Sequence, residues 1–252
     1  MQTSGSRIRL FVKGALQHAG SIPLQDMQRH YLINVMRLRV GDTVALFNGE
    51  DGEWQGRVAN VGKNDCIVEI GCRLRAQRPE AGPWLAFAPL KKTCTQFVVE
   101  KATELGASRL LPVFTRRTAT DRVNLQRLRS YAIEAAEQSN RLTLPIILAP
   151  LVLGDLLANW PDDRQLLVMD CSGNGAPLLG VLSTICALVE EGRQKPPGLL
   201  VGPEGGFAEP ELDDFASLPF VTSVRLGSRI LRAETAALAA LACWQAVVEE
   251  RA

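Results

Sequence analysis

The chemistry-bearing text of this chain lies near its C-terminus, where Leu200-Val201-Gly202-Pro203-Glu204-Gly205-Gly206-Phe207 carries an apolar strand straight into a turn with three glycines and a proline. Glycine has no Cβ, so the backbone N–H and C=O groups of such a turn can line a pocket and bond the edge of an adenine or a ribose. Further on, Arg225-Leu226-Gly227-Ser228-Arg229-Ile230-Leu231-Arg232-Ala233-Glu234-Thr235-Ala236 again leaves a strand and enters a helix. Glu234 or Thr235 could cap the free N–H groups there. Each turn taken alone also has a structural reading, a tight turn for the first and a helix cap with a salt bridge for the second. Together, the bends at Gly202 and Gly227 are expected to lie side by side at one sheet edge and form a pocket. The spacing is not G-x-G-x-x-G, no acidic residue follows where a ribose contact would need one, and there is no Walker lysine.

These turns need a sheet to hold them. From Trp84 onward the chain alternates strands (Trp84–Leu90, Arg109–Phe114, Ile146–Ala149, Leu166–Met169, Gly198–Val201, Ser223–Leu226) with helices (Thr95–Leu105, Asn124–Asn140, Leu178–Glu191, Glu234–Glu249), the pattern of a parallel sheet covered by helices. Ligands of such sheets bind outside the carboxyl ends of the strands, where both turns fall. Before Arg75 the text is short and β-like: Ile8–Val12, Thr43–Phe47, Glu53–Val61 and Cys66–Ile70, with one helix over Leu24–Arg37 and Gly/Asn/Asp turns between. A small β-barrel fits that pattern. The polar stretch Arg75–Pro83 marks the boundary, giving domains 1–75 and 84–252 with a linker at 76–83.

The net charge of +1 conceals a gradient. Residues 1–40 carry six Lys/Arg against one acid, residues 91–142 ten against five, and residues 200–252 four against eight. Two basic segments suit a polyanion, because Lys and Arg gain affinity by displacing counterions from phosphates; a solvated mixed-charge surface is the alternative. No apolar run approaches the roughly 20 residues of a membrane span, and the first ten residues are not a secretory leader, so a cytoplasmic location is expected with no membrane partner. Six cysteines at positions 66, 72, 94, 171, 186 and 243 show no CxxC pair or nearby His. They are expected to be reduced, mostly buried, and not to hold a metal.

The pair GPEGGF and LGSRILRAETA resembles the cofactor-binding motifs of the RsmE family within the SPOUT superfamily. Upstream elements agree in order: Arg29-His30 with Val35-Met36-Arg37, Lys101-Ala102-Thr103-Glu104-Leu105-Gly106, and Glu134-Ala135-Ala136-Glu137-Gln138-Ser139-Asn140-Arg141. Five ordered elements are far harder to meet by chance than one Gly-rich turn. Lys91-Lys92-Thr93-Cys94 departs from the family's Lys-Gly-Asp or Lys-Gly-Glu loop. The resemblance implies an α/β fold class: a small N-terminal PUA-like β-barrel that binds RNA, and a C-terminal α/β SPOUT domain with a deep trefoil knot. It implies S-adenosyl-L-methionine as cofactor, methylation of a uridine at N3 in small-subunit ribosomal RNA, the assembled small subunit as partner, and a homodimer.

Carried over residue by residue, the cofactor site comprises Leu200, Gly202, Pro203, Glu204, Gly205, Gly206, Leu226, Gly227, Ile230, Leu231 and Thr235. Uracil N3 must lose a proton before it attacks a methyl group, and a cation beside O2 or O4 would stabilise the developing anion. Arg232 and Arg141 are the candidates for that role, with Glu137 or Glu234 to orient an arginine or accept the proton. RNA contacts are assigned to Arg7, Arg9, His30, Arg37, Arg39, Lys91, Lys92, Arg116 and Arg117. The last helix presents Leu238, Leu241, Trp244, Val247 and Val248 to a dimer interface or to the core. A SPOUT enzyme acting on transfer RNA or another ribosomal base, and a non-catalytic RNA-binding assembly module, remain as alternatives. A nucleotide-dependent oxidoreductase lacks its fingerprint.

Overall fold

The computed structural model describes residues 8–62 and 65–250. These fall into two compact units: residues up to Pro79 together with Ala136–Leu144, and Glu80–Ala135 with the chain from Pro145 on. The segment Ala136–Leu144, within the stretch expected as the second domain, therefore packs with the first.

The first unit contains β1 (Arg9–Phe11), β2 (Ser21–Pro23), α1 (Asp26–Arg29), a π-helical turn over His30–Val35, β3 (Thr43–Phe47), β4 (Glu53–Val61) and β5 (Cys66–Arg75). Its sheet runs β1-β3-β4-β5-β2, with β1 and β3 parallel and the other pairs antiparallel. Alternate residues of β5, Cys66, Val68 and Ile70, point inward, the period-two signature of a half-buried strand. Register shifts between β4 and β5 bend the sheet around a core of Leu10, Leu32, Val44, Leu46 and Val58. The expected barrel is thus met as a curled five-stranded sheet. β2 was not foreseen, since a three-residue strand ending in Pro23 carries too little pattern. The predicted single helix over Leu24–Arg37 is instead four α-helical residues running into a π-turn.

The second unit alternates β6 (Trp84–Phe87), α2 (Lys92–Glu104), β7 (Arg109–Phe114), α3 (Leu125–Gln138, whose last turn belongs to the first unit), β8 (Ile146–Ile147), β9 (Leu151–Val152), α4 (Leu153–Ala158), β10 (Leu166–Met169), β11 (Ala176–Pro177), α5 (Leu178–Glu190), β12 (Gly198–Val201), α6 (Glu209–Ser217), β13 (Val221–Arg225) and α7 (Ala233–Glu249). The sheet is parallel, in the order β11-β13-β10-β12-β6-β7-β8. Every residue of β10 and β12 is buried, as central strands covered on both faces require. Leu85, Phe87, Leu167, Leu199 and Val201 face α2, α5 and α7. Ala86, Leu111, Val168 and Leu200 face α4, Trp160 and α6. The result is three layers, helices on both sides of one sheet. α4 and α6 were missing from the sequence reading because six and nine residues are too short for a clear helical period.

In α7 the small residues Ala233, Ala236, Ala237 and Ala240 lie against the core, letting the helix approach α2 and α5 closely. Leu241, Trp244 and Val247 are also buried there, whereas Leu238 is half-buried and Val248 exposed. Only the first three are settled as core residues.

Candidate functional site

The site is built at the carboxyl ends of three neighbouring parallel strands. Val168 of β10 pairs Leu200 of β12 on one side, and Met169 pairs Val224 of β13 on the other. The three strands therefore end level, and the bends at Gly202 and Gly227 stand two strand spacings apart, about 10 Å. This corrects the expectation of adjacent bends. Between them lies a third loop, Asp170-Cys171-Ser172-Gly173-Asn174-Gly175. It leaves an apolar strand into a Gly-rich turn as the other two do, and that shared pattern is the signal that would have found it. Its Asp170 carboxylate accepts the Ser172 N–H (2.8 Å) and Oγ–H (2.6 Å), folding the loop back on itself. Arg225 Nη1 donates to the Gly175 carbonyl at 2.8 Å and ties this loop to β13.

The first loop is fixed from below. Glu211, at the start of α6 and buried, accepts the Ala208 N–H (2.7 Å) with one carboxylate oxygen and the Arg116 N–H (2.8 Å) with the other. Arg117 Nη1 donates to the Gly205 carbonyl at 3.0 Å, so the β7–α3 loop holds the glycine turn. Phe207 packs edge-on against Phe215, with ring centroids 4.9 Å apart, and a Cβ on Gly202 would fall 2.9 Å from the Phe207 ring. Glu211 and Phe207 position this turn; Phe207 lies in the glycine motif read from the sequence, whereas Glu211 is absent from the sequence assignment. Glu211 is one of many acids in the acidic C-terminal stretch, and only its burial sets it apart.

Gly206 (φ +67°) and Gly227 (φ +145°) adopt backbone conformations that side chains resist, and a Cβ at either would meet nothing within 4 Å. Bare backbone therefore borders open space, which is what close approach of an adenosyl group needs. Glu204, Gly205, Ile230 and Thr235 are exposed, while Leu226 and Leu231 are partly buried against the core. Pro203 is buried, so it shapes the turn. The Leu200 side chain is wholly buried on the α4 and α6 face, so it is the backbone of Leu200 that the cofactor assignment concerns. The loop after β13 ends at Arg232, which occupies the N-cap of α7 without a side-chain cap bond. Neither Glu234 nor Thr235 caps the helix; Glu234 sits in its first turn, where a negative charge complements the helix dipole.

In the first unit the structure separates buried from exposed cations. Arg9, assigned to RNA, is 7% exposed. Its Nε donates to Glu53 (2.6 Å), its Nη1 to the carbonyls of Ala136 and Glu137, and its Nη2 to the Arg141 carbonyl (2.8 Å), while Phe47 covers its face. With four of its five N–H donors committed, Arg9 holds the segment 136–144 and is corrected to a structural residue. Arg141 is also 7% exposed, and its Nε donates to Thr143 Oγ1 at 3.0 Å. That burial favours a packing role over contact with substrate. The Glu137 carboxylate accepts the Phe11 N–H at 2.9 Å. His30, Arg37 and Arg39 are exposed, as are Lys91 and Arg116 in the second unit. Arg7 and the side chain of Lys92 lie outside the described residues.

Among the described residues none of the six cysteines is paired in a disulfide, and only Cys66 and Cys186 are buried; Cys72 and Cys171 are exposed, against the expectation of mostly buried thiols. No group of three or more His, Cys, Asp or Glu is placed to hold a metal, and no helix is long and apolar enough to cross a membrane, again among the described residues.

The second unit is an RNA methyltransferase domain: the family model of that description matches residues 80–245, and one described as an RNA methyltransferase PUA domain matches residues 24–71. The ribosomal RNA small subunit methyltransferase E of Rickettsia conorii is 34% identical over 235 residues, 93% of each chain. That of Synechocystis is 30% identical over 233 residues, 91% of this chain and 74% of the relative. The crystal structure of the Neisseria gonorrhoeae ribosomal RNA small subunit methyltransferase E bound to S-adenosyl methionine superposes with a TM-score of 0.82 at 26% identity, covering 95% of this chain and 97% of that one. The chain belongs to the ribosomal RNA small subunit methyltransferase E family.

Proposed function

We propose that this chain transfers a methyl group from S-adenosyl-L-methionine to N3 of a uridine in small-subunit ribosomal RNA. The observation that carries the reading is the level ending of β12, β10 and β13 in three Gly-bearing loops, with open backbone at Gly206 and Gly227. When bound, the cofactor supplies an electrophilic methyl group on a sulfonium. Glu204, Gly205, Gly206, Leu226, Gly227, Ile230 and Leu231, with the loop 170–175, would hold it, and exposed Ile230 would cover its outer side. Arg232, exposed at the start of α7, is assigned to the uracil edge, where it stabilises charge developing on O2 or O4 as N3 loses its proton. Glu234, in the first turn of α7, is assigned to orienting an arginine or accepting the proton.

The first unit is assigned to RNA capture through His30, Arg37 and Arg39, and the second contributes Lys91 and Arg116. The knot implied by the family resemblance is part of this reading; it is supported by β12 and β13 flanking β10 while α7 returns to pack on β12. A cytoplasmic homodimer acting on the assembled small subunit completes it.

Isothermal titration with S-adenosyl methionine, followed by nucleoside mass mapping of small-subunit RNA from a deletion strain, tests the proposal. Cofactor binding and loss of one N3-methyluridine are expected. Binding of RNA without cofactor would leave only an RNA-binding module, and loss of a different nucleoside would move the substrate.

A further inference from the structure

The first unit carries a cleft of about 410 Å³, within the range of small-ligand sites, that the cofactor loops do not use. Ile8, Tyr31 and Met36 line it together with Glu137, Gln138, Asn140 and the buried Arg9. Three features mark it as more than a packing defect. Tyr31 belongs to the π-helical turn His30–Val35, a rare geometry that accumulates at functional sites. Only three described non-glycine residues have positive φ, and two of them are here: Asn140 (φ +62°), which lines the cleft, and Arg37 (φ +59°), which follows Met36. Asn adopts this conformation readily just past a helix end, so the strained residue is Arg37, and such strain clusters at binding sites. Finally, the Tyr31 hydroxyl and the exposed side-chain amides of Gln138 and Asn140 make no hydrogen bond among the described residues, although each sits beside the cleft.

From this geometry we infer that the cleft receives one unstacked nucleobase of the RNA, stacked on Tyr31 against Ile8 and Met36 and read along its edge by Gln138 and Asn140. An apolar ring face beside two amides, each offering donors and an acceptor, is the chemistry that recognises a flat heterocycle with a mixed edge. It is not the chemistry of a phosphate, because Arg9, the one cation lining it among the described residues, has already committed four of its five donors to Glu53 and to backbone carbonyls. Phosphates stay outside, where Arg37 is exposed and Arg75, 40% exposed, is held by the Asn140 carbonyl. The Tyr31 hydroxyl is pushed above the usual phenol range, by burial first and then by the Glu137 charge, so it enters as a neutral ring.

The inference rests on the RNA-directed reading of this chain but not on methyl transfer, and the two can fail separately. The full-length protein is titrated with short single-stranded oligouridine, oligoadenosine and oligocytidine, each carrying one fluorescent adenine analogue that dims on stacking. Tyr31→Ala is expected to weaken binding about 5- to 100-fold and abolish the dimming, with the dependence of affinity on salt retained, since stacking releases no counterions. Tyr31→Phe should bind like the parent. Gln138→Ala combined with Asn140→Gly, which keeps the positive φ accessible, should flatten the preference among the three RNAs. Arg37→Ala should instead lower the salt slope by about 1. Undiminished binding and dimming in both Tyr31→Ala and the Gln138/Asn140 variant would overturn the inference, as would loss confined to the salt slope or absence of dimming with the parent. A parallel titration of the parent with S-adenosyl methionine tells whether the methyltransferase reading stands on its own.

Discussion

Removing the Glu53 carboxylate should loosen the segment that carries Glu137, Gln138 and Asn140 before it disturbs anything else. Glu53 is 7% exposed and accepts Arg9 Nε at 2.6 Å, Arg75 Nε at 2.7 Å and Arg75 Nη2 at 2.9 Å. Breaking one partner of a buried ion pair typically costs about 3–5 kcal/mol, because the remaining charge is left uncompensated. The two arginines differ in how much of that they feel. Arg75 is 40% exposed and can turn to water, so its share is small. Arg9 cannot, but it keeps the carbonyls of Ala136, Glu137 and Arg141 and the face of Phe47. Glu53→Ala should therefore fall at the lower end, about 3 kcal/mol, and Glu53→Gln, which retains one acceptor, at about 1–2 kcal/mol. Hydrogen exchange resolved to segment 136–144 and to β3 and β4 is the assay, with exchange from subglobal opening about 100-fold faster in Glu53→Ala. Burial alone would raise the Glu53 carboxyl, yet hydrogen bonds from Arg75 and Arg9 and their charges outweigh it and hold it below the ordinary 4.5. A carboxyl depressed in the fold stabilises above its unfolded value and loses that contribution as pH falls through its folded value. Wild-type protection of this segment should thus decline below about pH 4.5, while Glu53→Gln should show no such decline. A Glu53→Ala loss under about 1 kcal/mol, or the same acid response in both proteins, would refute the assignment of Arg9 as a buried clamp.

Other outcomes follow from the site. Arg232→Ala should lower kcat by about 10²-fold with cofactor affinity little changed, as expected for a donor aimed at developing charge; an equal loss in cofactor binding would place Arg232 in the cofactor site. Arg141→Ala should show itself first as reduced stability, since that guanidinium is buried, and full stability with dead chemistry would reverse the assignment. Cys171 and Cys72 are exposed, whereas burial pushes the Cys243 and Cys66 thiols up, so alkylation of the native protein should be fast at two positions. Saturating S-adenosyl methionine should protect Cys171, on the loop between the two glycine bends, and leave Cys72 reactive; unaltered Cys171 labelling would remove that loop from the cofactor site. Glu137→Gln should bring the Tyr31 ionisation, followed by ultraviolet titration, down toward the ordinary phenol value, and an unmoved titration would mean the two groups do not interact.

Much of this protein was legible as text because its elements carry strong local patterns. β3, β4, β7, β10 and β12 begin and end where alternation or continuous apolar runs place them, and Gly-rich turns mark the strand ends at Gly202 and Gly227. The motif pairs carry the family in the same way, since type and spacing survive in a one-dimensional string. Tertiary structure decided what depends on neighbours distant in sequence. Strand order places β10 between β12 and β13, separating the bends and inserting loop 170–175, an arrangement no local pattern encodes. Burial is likewise collective: Arg9 and Arg39 look alike in a basic segment, yet one is enclosed by Glu53, Phe47 and the carbonyls of residues 136–141 and the other faces water. A charge's role follows from what surrounds it, and only the folded chain brings those surroundings together.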